Sequence, residues 1–189
     1  MDRPITTGID NTGDSLIWTK NRDSNGYVHV LTGQHLLDGG FTNSNSANIT
    51  NIWTNNSAMG DQSTNYITGV LDNGFTIGNS GHVNDPGNNY VAWNFREAPG
   101  FFDIQTYIGI SEGAANQGQA ISHDLGSEPG MVIIKNLDGT DSWMVYHKDL
   151  EDRTWIRLNE DWAKSGPLDG IFPSTHSSTE FNIGPDTSI

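Results

Sequence analysis

Leu16-Ile17-Trp18-Thr19-Lys20-Asn21, followed by Asp23 and Tyr27-Val28, is echoed in the second half of the chain by Val132-Ile133-Ile134-Lys135-Asn136, followed by Asp138 and Trp143-Met144-Val145. A second pair comes after each: Gly74-Phe75-Thr76-Ile77-Gly78 and Glu180-Phe181-Asn182-Ile183-Gly184. The members of the two pairs lie about 115 and about 106 residues apart, so the chain reads as two copies of one unit with loops of unequal length. Each run is short, β-branched or aromatic, and stops at Asn, Asp or Gly, the pattern of strands joined by turns. A repeated β unit serves as building material or as a binding surface, and it argues against a single enzyme cleft.

Working outward, strands are expected near 15–20, 26–31, 48–54, 65–71, 74–78, 89–95, 103–109, 118–122, 130–137, 142–147, 153–158 and 179–184. Only Glu160-Asp161-Trp162-Ala163-Lys164 offers a turn or two of helix before Gly166-Pro167 stops it. Asn25-Gly26, Asn73-Gly74 and Asp138-Gly139 sit beside apolar runs, where positive φ would make hairpin turns. The Asn/Ser/Gly-rich stretches 38–47 and 54–65 are too polar to bury and read as surface loops. The expected fold is all-β: two related antiparallel sandwich-like units, 1–97 and 98–189, with little helix. Arg96-Glu97-Ala98-Pro99-Gly100 marks the boundary and is too short to let the units swing independently.

The copies are cut at opposite ends. After Ile183-Gly184 nothing matches Tyr90 to Phe95, and before Leu16 nothing obvious matches Phe101 to Ile121. Each unit is therefore expected to lack an edge element, which residues 1–14, the other unit or a neighbouring subunit supplies by strand addition.

Composition narrows the function. Lys plus Arg number 9 against 23 Asp plus Glu, a formal charge of −14 that repels phosphate backbones, so nucleic acid is not an expected partner. The acidity is dispersed and reads as a hydrated surface. The chain has no cysteine, which removes disulfides and thiolate metal sites. Met1-Asp2-Arg3-Pro4-Ile5-Thr6-Thr7-Gly8 lacks the apolar core of a secretory signal, and no stretch approaches a membrane span. Work outside a cell would imply another exit, such as lysis or assembly into a particle.

Candidate chemistry is sparse. Histidines stand at 29, 35, 82, 123, 147 and 176 without recognisable metal spacing, and hydrogen-bonded or exposed imidazoles are expected. Asn21-Arg22-Asp23-Ser24-Asn25-Gly26 opens like a calcium loop, but Thr32 stands where a closing glutamate belongs, so a hairpin turn explains it more simply. Asp149, Glu151 and Asp152, or Glu160 and Asp161, could contribute the paired carboxylates of a glycosidase, yet in so acidic a chain a solvated surface is the simpler reading. No nucleophile elbow, phosphate loop or dinucleotide fingerprint occurs. Asn48-Ile49-Thr50 and Asn55-Asn56-Ser57 fit the glycosylation pattern, read as coincidence without a secretion signal. Trp18, Trp93 and Trp143 lie in strong strands and are expected in the core. Trp53 and Trp162 adjoin polar loops and are the candidates for a contact surface. No catalytic, cofactor-binding or metal-ligating residue is assigned, and no cofactor is expected.

The run Phe75-x-Ile77-Gly78, Asn84, Asn89-Tyr90-Val91-Ala92-Trp93-x-Phe95-Arg96-x-Ala98-Pro99-x-Phe101-Phe102-Asp103, Tyr107-x-Gly109 is similar to a domain of unknown function in virion proteins of tailed phages, marine and cyanobacterial ones especially. Ile121-x-His123-x-Leu125-Gly126-x-x-Pro129-Gly130-Met131, Lys135 and Trp143-x-Val145-Tyr146-His147 continue the pattern. The resemblance is good from about 74 to 147 and looser elsewhere, and it carries over no catalytic or ligand residue. Such segments recur in tandem in tail-fibre-like chains; this chain departs by being short. The resemblance implies a noncatalytic virion component, part of the tail fibre or receptor-binding apparatus, with a capsid decoration protein as the alternative and a glycan-binding or glycan-degrading tailspike module behind it. Expected partners are other virion proteins, further copies of the chain and a host-surface glycan or receptor, with no membrane insertion.

Overall fold

The computed structural model describes residues 2–37, 50–60, 65–110, 118–167, 170–173, 175–186 and 189, apart from the side chain at position 35. The polar stretch 38–47 and the start of the strand expected at 48–54 lie outside the described residues. The fold is all-β, and the chain divides into two compact units, Met1–Glu97 and Ala98–Ile189.

In the first unit the strands are β1 (Arg3–Thr6), β2 (Ser15–Asn21), β3 (Val30–Gly33), β4 (Ile52–Trp53), β5 (Ile67–Leu71), β6 (Gly74–Ile77) and β7 (Tyr90–Arg96). Two single helical turns, α1 (Gln34–Leu37) and α2 (Gly81–Asn84), interrupt them. The strands form two antiparallel sheets, ordered β4-β3-β2-β7 and β1-β6-β5. Along β2, Ser15, Ile17, Thr19 and Asn21 are buried while the residues between them are half-buried, the period of two that a pleated strand imposes. Ile17, Val30 and Trp53 from one sheet meet Ile67, Phe75 and Ile77 from the other in one core, as in a sandwich.

The second unit contains β8 (Gln119–Ser122), β9 (Met131–Ile134), β10 (Met144–His147), β11 (Ile156–Arg157) and β12 (Glu180–Ile183), paired as β11-β10-β9 and β12-β8. Ile134 and Met144 from one sheet pack with Ile121, Phe181 and Ile183 from the other.

The same registers recur in both units. Trp18↔Leu31 and Thr19↔Val30 between β2 and β3 correspond to Ile133↔Val145 and Ile134↔Met144 between β9 and β10. Leu31↔Ile52 and Val30↔Trp53 correspond to Val145↔Ile156 and Met144↔Arg157. Ile5↔Phe75 and Thr6↔Gly74 correspond to Ile121↔Phe181 and Ser122↔Glu180. Gly78 N donates to the Tyr66 carbonyl at 2.6 Å, and Gly184 N donates to the Ile171 carbonyl at 2.8 Å. β1 thus holds in the first unit the place of β8 in the second, a counterpart not expected from the sequence, and residues 1–14 do supply an edge.

Four expectations need correcting. Residues 26–29 are not strand, because side chains take their backbone donors: Val28 N bonds to His82 Nδ1 at 2.9 Å and His29 N to Asn55 Oδ1 at 2.8 Å. Residues 103–109 join no ladder among the described residues. Residues 160–164 form no helix; Trp155 and Ser165 bridge across them at 3.0 and 2.8 Å, so pairing overrides a weak propensity. Positive φ falls on other glycines than Gly26, Gly74 and Gly139. Gly74 serves close approach instead, since a Cβ there would stand 1.9 Å from the Ile5 carbonyl oxygen on β1.

Candidate functional site

β2 and β9 end in the same corner. Lys20 Nζ donates to the Asn21 carbonyl at 3.1 Å, and Lys135 Nζ donates to the Asn136 carbonyl at 2.7 Å and to that of Gly139 at 3.1 Å. Asn21 Oδ1 accepts from Asp23 N at 2.9 Å, as Asn136 Oδ1 does from Asp138 N at 2.9 Å, each an Asx turn that starts the loop. The amide nitrogens then part. Asn21 Nδ2 donates to Tyr90 Oη on β7 at 3.1 Å, whereas Asn136 Nδ2 donates to Asp141 at 2.9 Å.

That difference follows from the neighbour each strand has. β2 is covered along all seven residues by β7, from Ser15↔Arg96 to Asn21↔Tyr90, with Trp18 and Trp93 rings 5.4 Å apart on one face. β9 is the last strand of its sheet among the described residues. Ile133, which occupies the register place of Trp18, is 40% exposed, and Met131 is 57% exposed. An uncovered β edge offers backbone donors and acceptors in a row.

A groove of about 160 Å³ runs beside this edge, lined by Tyr107, His123, Val132, Ile134, Lys135 and Phe181 among others. His123 Nδ1 accepts from Leu125 N at 3.3 Å, which puts the imidazole proton on Nε2, and Nε2 is buried without a partner. Tyr107 Oη is likewise buried and unpartnered. Burial pushes the Tyr107 hydroxyl up to about 12. It pushes the Lys135 ammonium down to about 8, with Asp141 pulling the other way. The arrangement can hydrogen-bond an extended backbone and donate to one buried acceptor.

Apart from His123, the residues weighed as candidate chemistry from sequence do not line this groove. In the calcium-like loop, Asn21 Oδ1 also accepts from Ser24 N, Asp23 Oδ2 accepts from the Asn89 backbone and amide nitrogens, and Ser24 Oγ accepts from Gly26 N, so these oxygens are engaged in turn-building. His82, His147 and His176 accept backbone protons at Nδ1 from Val28, Asp149 and Asn182, and burial lowers His29, His82 and His176. Among the carboxylates, Glu151 pairs with Lys164 at 2.6 Å, Asp152 with Arg153 at 3.5 Å, and Glu160 accepts from Asn159 at 3.2 Å. These are separate surface contacts. Trp143 is buried and Trp162 is 64% exposed over the Arg157 guanidinium, as expected. Trp53 and Trp93 exchange roles: Trp53 is buried with its ring 4.9 Å from Tyr66, and Trp93 is 42% exposed. Tyr107 was missed as a site residue, and His123 was noted only as one of six histidines without metal spacing.

The sequence model of a domain of unknown function, DUF7483, matches residues 3–188, spanning both units. No curated protein and no solved structure matches the chain.

Proposed function

The chain belongs to the DUF7483 family, and from that premise we propose that it is a noncatalytic structural protein of a tailed-phage virion, part of the tail fibre or receptor-binding apparatus. The observation that carries this reading is the construction of one scaffold twice, with five strands of each unit paired in the same order and registers. A cleft needs one constellation; a stack needs a repeated rigid element. The likeness of residues 74–147 to phage virion domains supports the location. A net charge of −14 supports a hydrated outer surface. Strands supply rigidity, loops face the host or solvent, and many copies multiply weak contacts with a surface glycan or receptor.

Gold-labelled antibody against the chain, applied to intact particles, tests the location. Label on the tail fibres is the expected result. Label spread over the head makes the chain a capsid decoration protein, and particles that carry none of it end the virion reading. Incubating the purified chain with host-surface polysaccharide is expected to release no reducing ends; release would make it a glycan-degrading module.

A further inference from the structure

We propose that His82 is a pH-sensitive latch: as a neutral imidazole on α2 it holds the segment Gly26–Val28 closed, and on taking up a proton in mildly acid solution it lets that segment open while the sheets stay paired. The device lies within the first unit and does not depend on where the chain works.

The segment leads from the turn after β2 into β3 but joins no ladder itself. Val28 N donates to His82 Nδ1 at 2.9 Å, across 54 positions of sequence. The Tyr27 ring stands edge-on to the same imidazole, 4.9 Å away, and Tyr66 does so from the core side at 5.4 Å. Other histidines accept backbone protons only locally: His123 and His147 from two residues on, His176 from six residues on. His82 instead ties two distant stretches together. Its own side of the contact is fixed by groups that keep their charge state near neutral pH. Ser80 Oγ caps α2 by accepting from His82 N at 3.3 Å, Val83 is buried in the core, and Asn84 Nδ2 donates to the Gly78 carbonyl at 2.9 Å. On the far side His29 is a hinge, with its N–H bonded to Asn55 Oδ1 at 2.8 Å and its carbonyl to Thr54 N at 3.1 Å.

Imidazole chemistry sets the direction. Nδ1 can accept from Val28 only while Nε2 carries the single ring proton. A proton from solvent occupies the Nδ1 lone pair, so the Val28 N–H loses its acceptor and faces another N–H. Burial pushes the His82 pKa down, and among the described residues no charge adds to or offsets that effect. Asp85, the acid of this cluster, is engaged by Tyr27 Oη at 3.1 Å and Asn88 Nδ2 at 3.2 Å. His29 is pushed the same way, by its burial and then by Lys20. Both imidazoles thus sit below the ordinary 6.5 in the closed form. Below that value the open form binds more protons, so opening becomes easier as pH falls. Val28 packs against the first core, and opening uncovers apolar surface there.

The test is amide hydrogen exchange on the full chain, with each rate divided by that of an unstructured chain at the same pH. Protection of Val28 is expected to fall about fivefold or more between about pH 7.5 and about pH 5, and to stay below that of Ile17 on β2 at both. His82→Asn keeps an acceptor close to the position of Nδ1 but cannot titrate, and there the fall should shrink to about twofold or less. An equal fall in His82→Asn, or none in the native chain, overturns the proposal. So does protection of Val28 equal to that of Ile17, which would mean that the segment opens only with the whole unit. Nitrogen-15 spectra of the native chain give a second measurement that needs no variant. His82 is expected as the Nε2–H tautomer at about pH 7.5, with the Val28 amide shifting as the ring titrates. The Nδ1–H tautomer, or a Val28 amide indifferent to that titration, refutes the latch.

Discussion

Asn21 and Asn136 do the same local work with different neighbours, and that separates what a residue owes to its sequence from what it owes to its fold. The Asx turn needs only an asparagine and the residue two places on, so it was legible in the Lys-Asn-x-Asp pattern. The burial of Asn21 depends on Tyr90, sixty-nine positions away, and was not legible. Asn21→Ala is expected to cost about 2–3 kcal/mol, and Asn136→Ala only about 1, in urea unfolding; equal losses would contradict the account. Trp53 and Trp93 were misassigned for the same reason, because a tryptophan's exposure is set by the strand beside it. Lys135 gives a pH signature. Its pKa falls to about 8 in the folded chain from 10.5, so the unfolded chain binds the extra proton between those values and stability rises with pH across that window. A full shift of this size would be worth about 3 kcal/mol, which solvent screening of a half-buried ammonium reduces to about 1. Urea midpoints at pH 7.5 and 9.5 should show the rise in the native chain and its loss in Lys135→Met. Tyr107 acts in the opposite sense only above pH 10, where its raised pKa makes stability fall.

Among the elements, β2, β6, β7, β9, β10 and β12 lie in apolar runs that announced them as strands. β1 does not: Arg3, Pro4 and Thr6 are exposed and only Ile5 turns inward. It exists because β6 offers an edge, and it fits because Gly74 lets its backbone approach. Gly74→Ala is expected to destabilise the chain by about 1–3 kcal/mol and to speed amide exchange at Ile5 and Thr6 first; an unchanged melt with unchanged exchange there would refute the close-approach role. The helix expected at 160–164 was lost to the Trp155–Ser165 bridge, a pairing that no local window contains. The strand expected at 103–109 carries a suitable pattern but joins no ladder among the described residues, and Asp103 Oδ2 accepts from Gln105 Nε2 at 3.0 Å and Asp124 N at 2.9 Å.

At the scale of the whole molecule, the repeat first seen in two Lys-Asn runs extends through both sheets of each unit, and among the described residues two strands of the first copy, β5 and β7, have no counterpart strand in the second. The groove beside β9, and the buried Tyr107 and His123 atoms that line it, required the fold, because they come from elements far apart along the chain. The central claim is the proposal that this twice-built scaffold is structural material of a virion tail. The measurement that tests it most directly is a density map of an intact particle. The account predicts that both units fit density in the tail fibres. A particle with no density for the chain would contradict it.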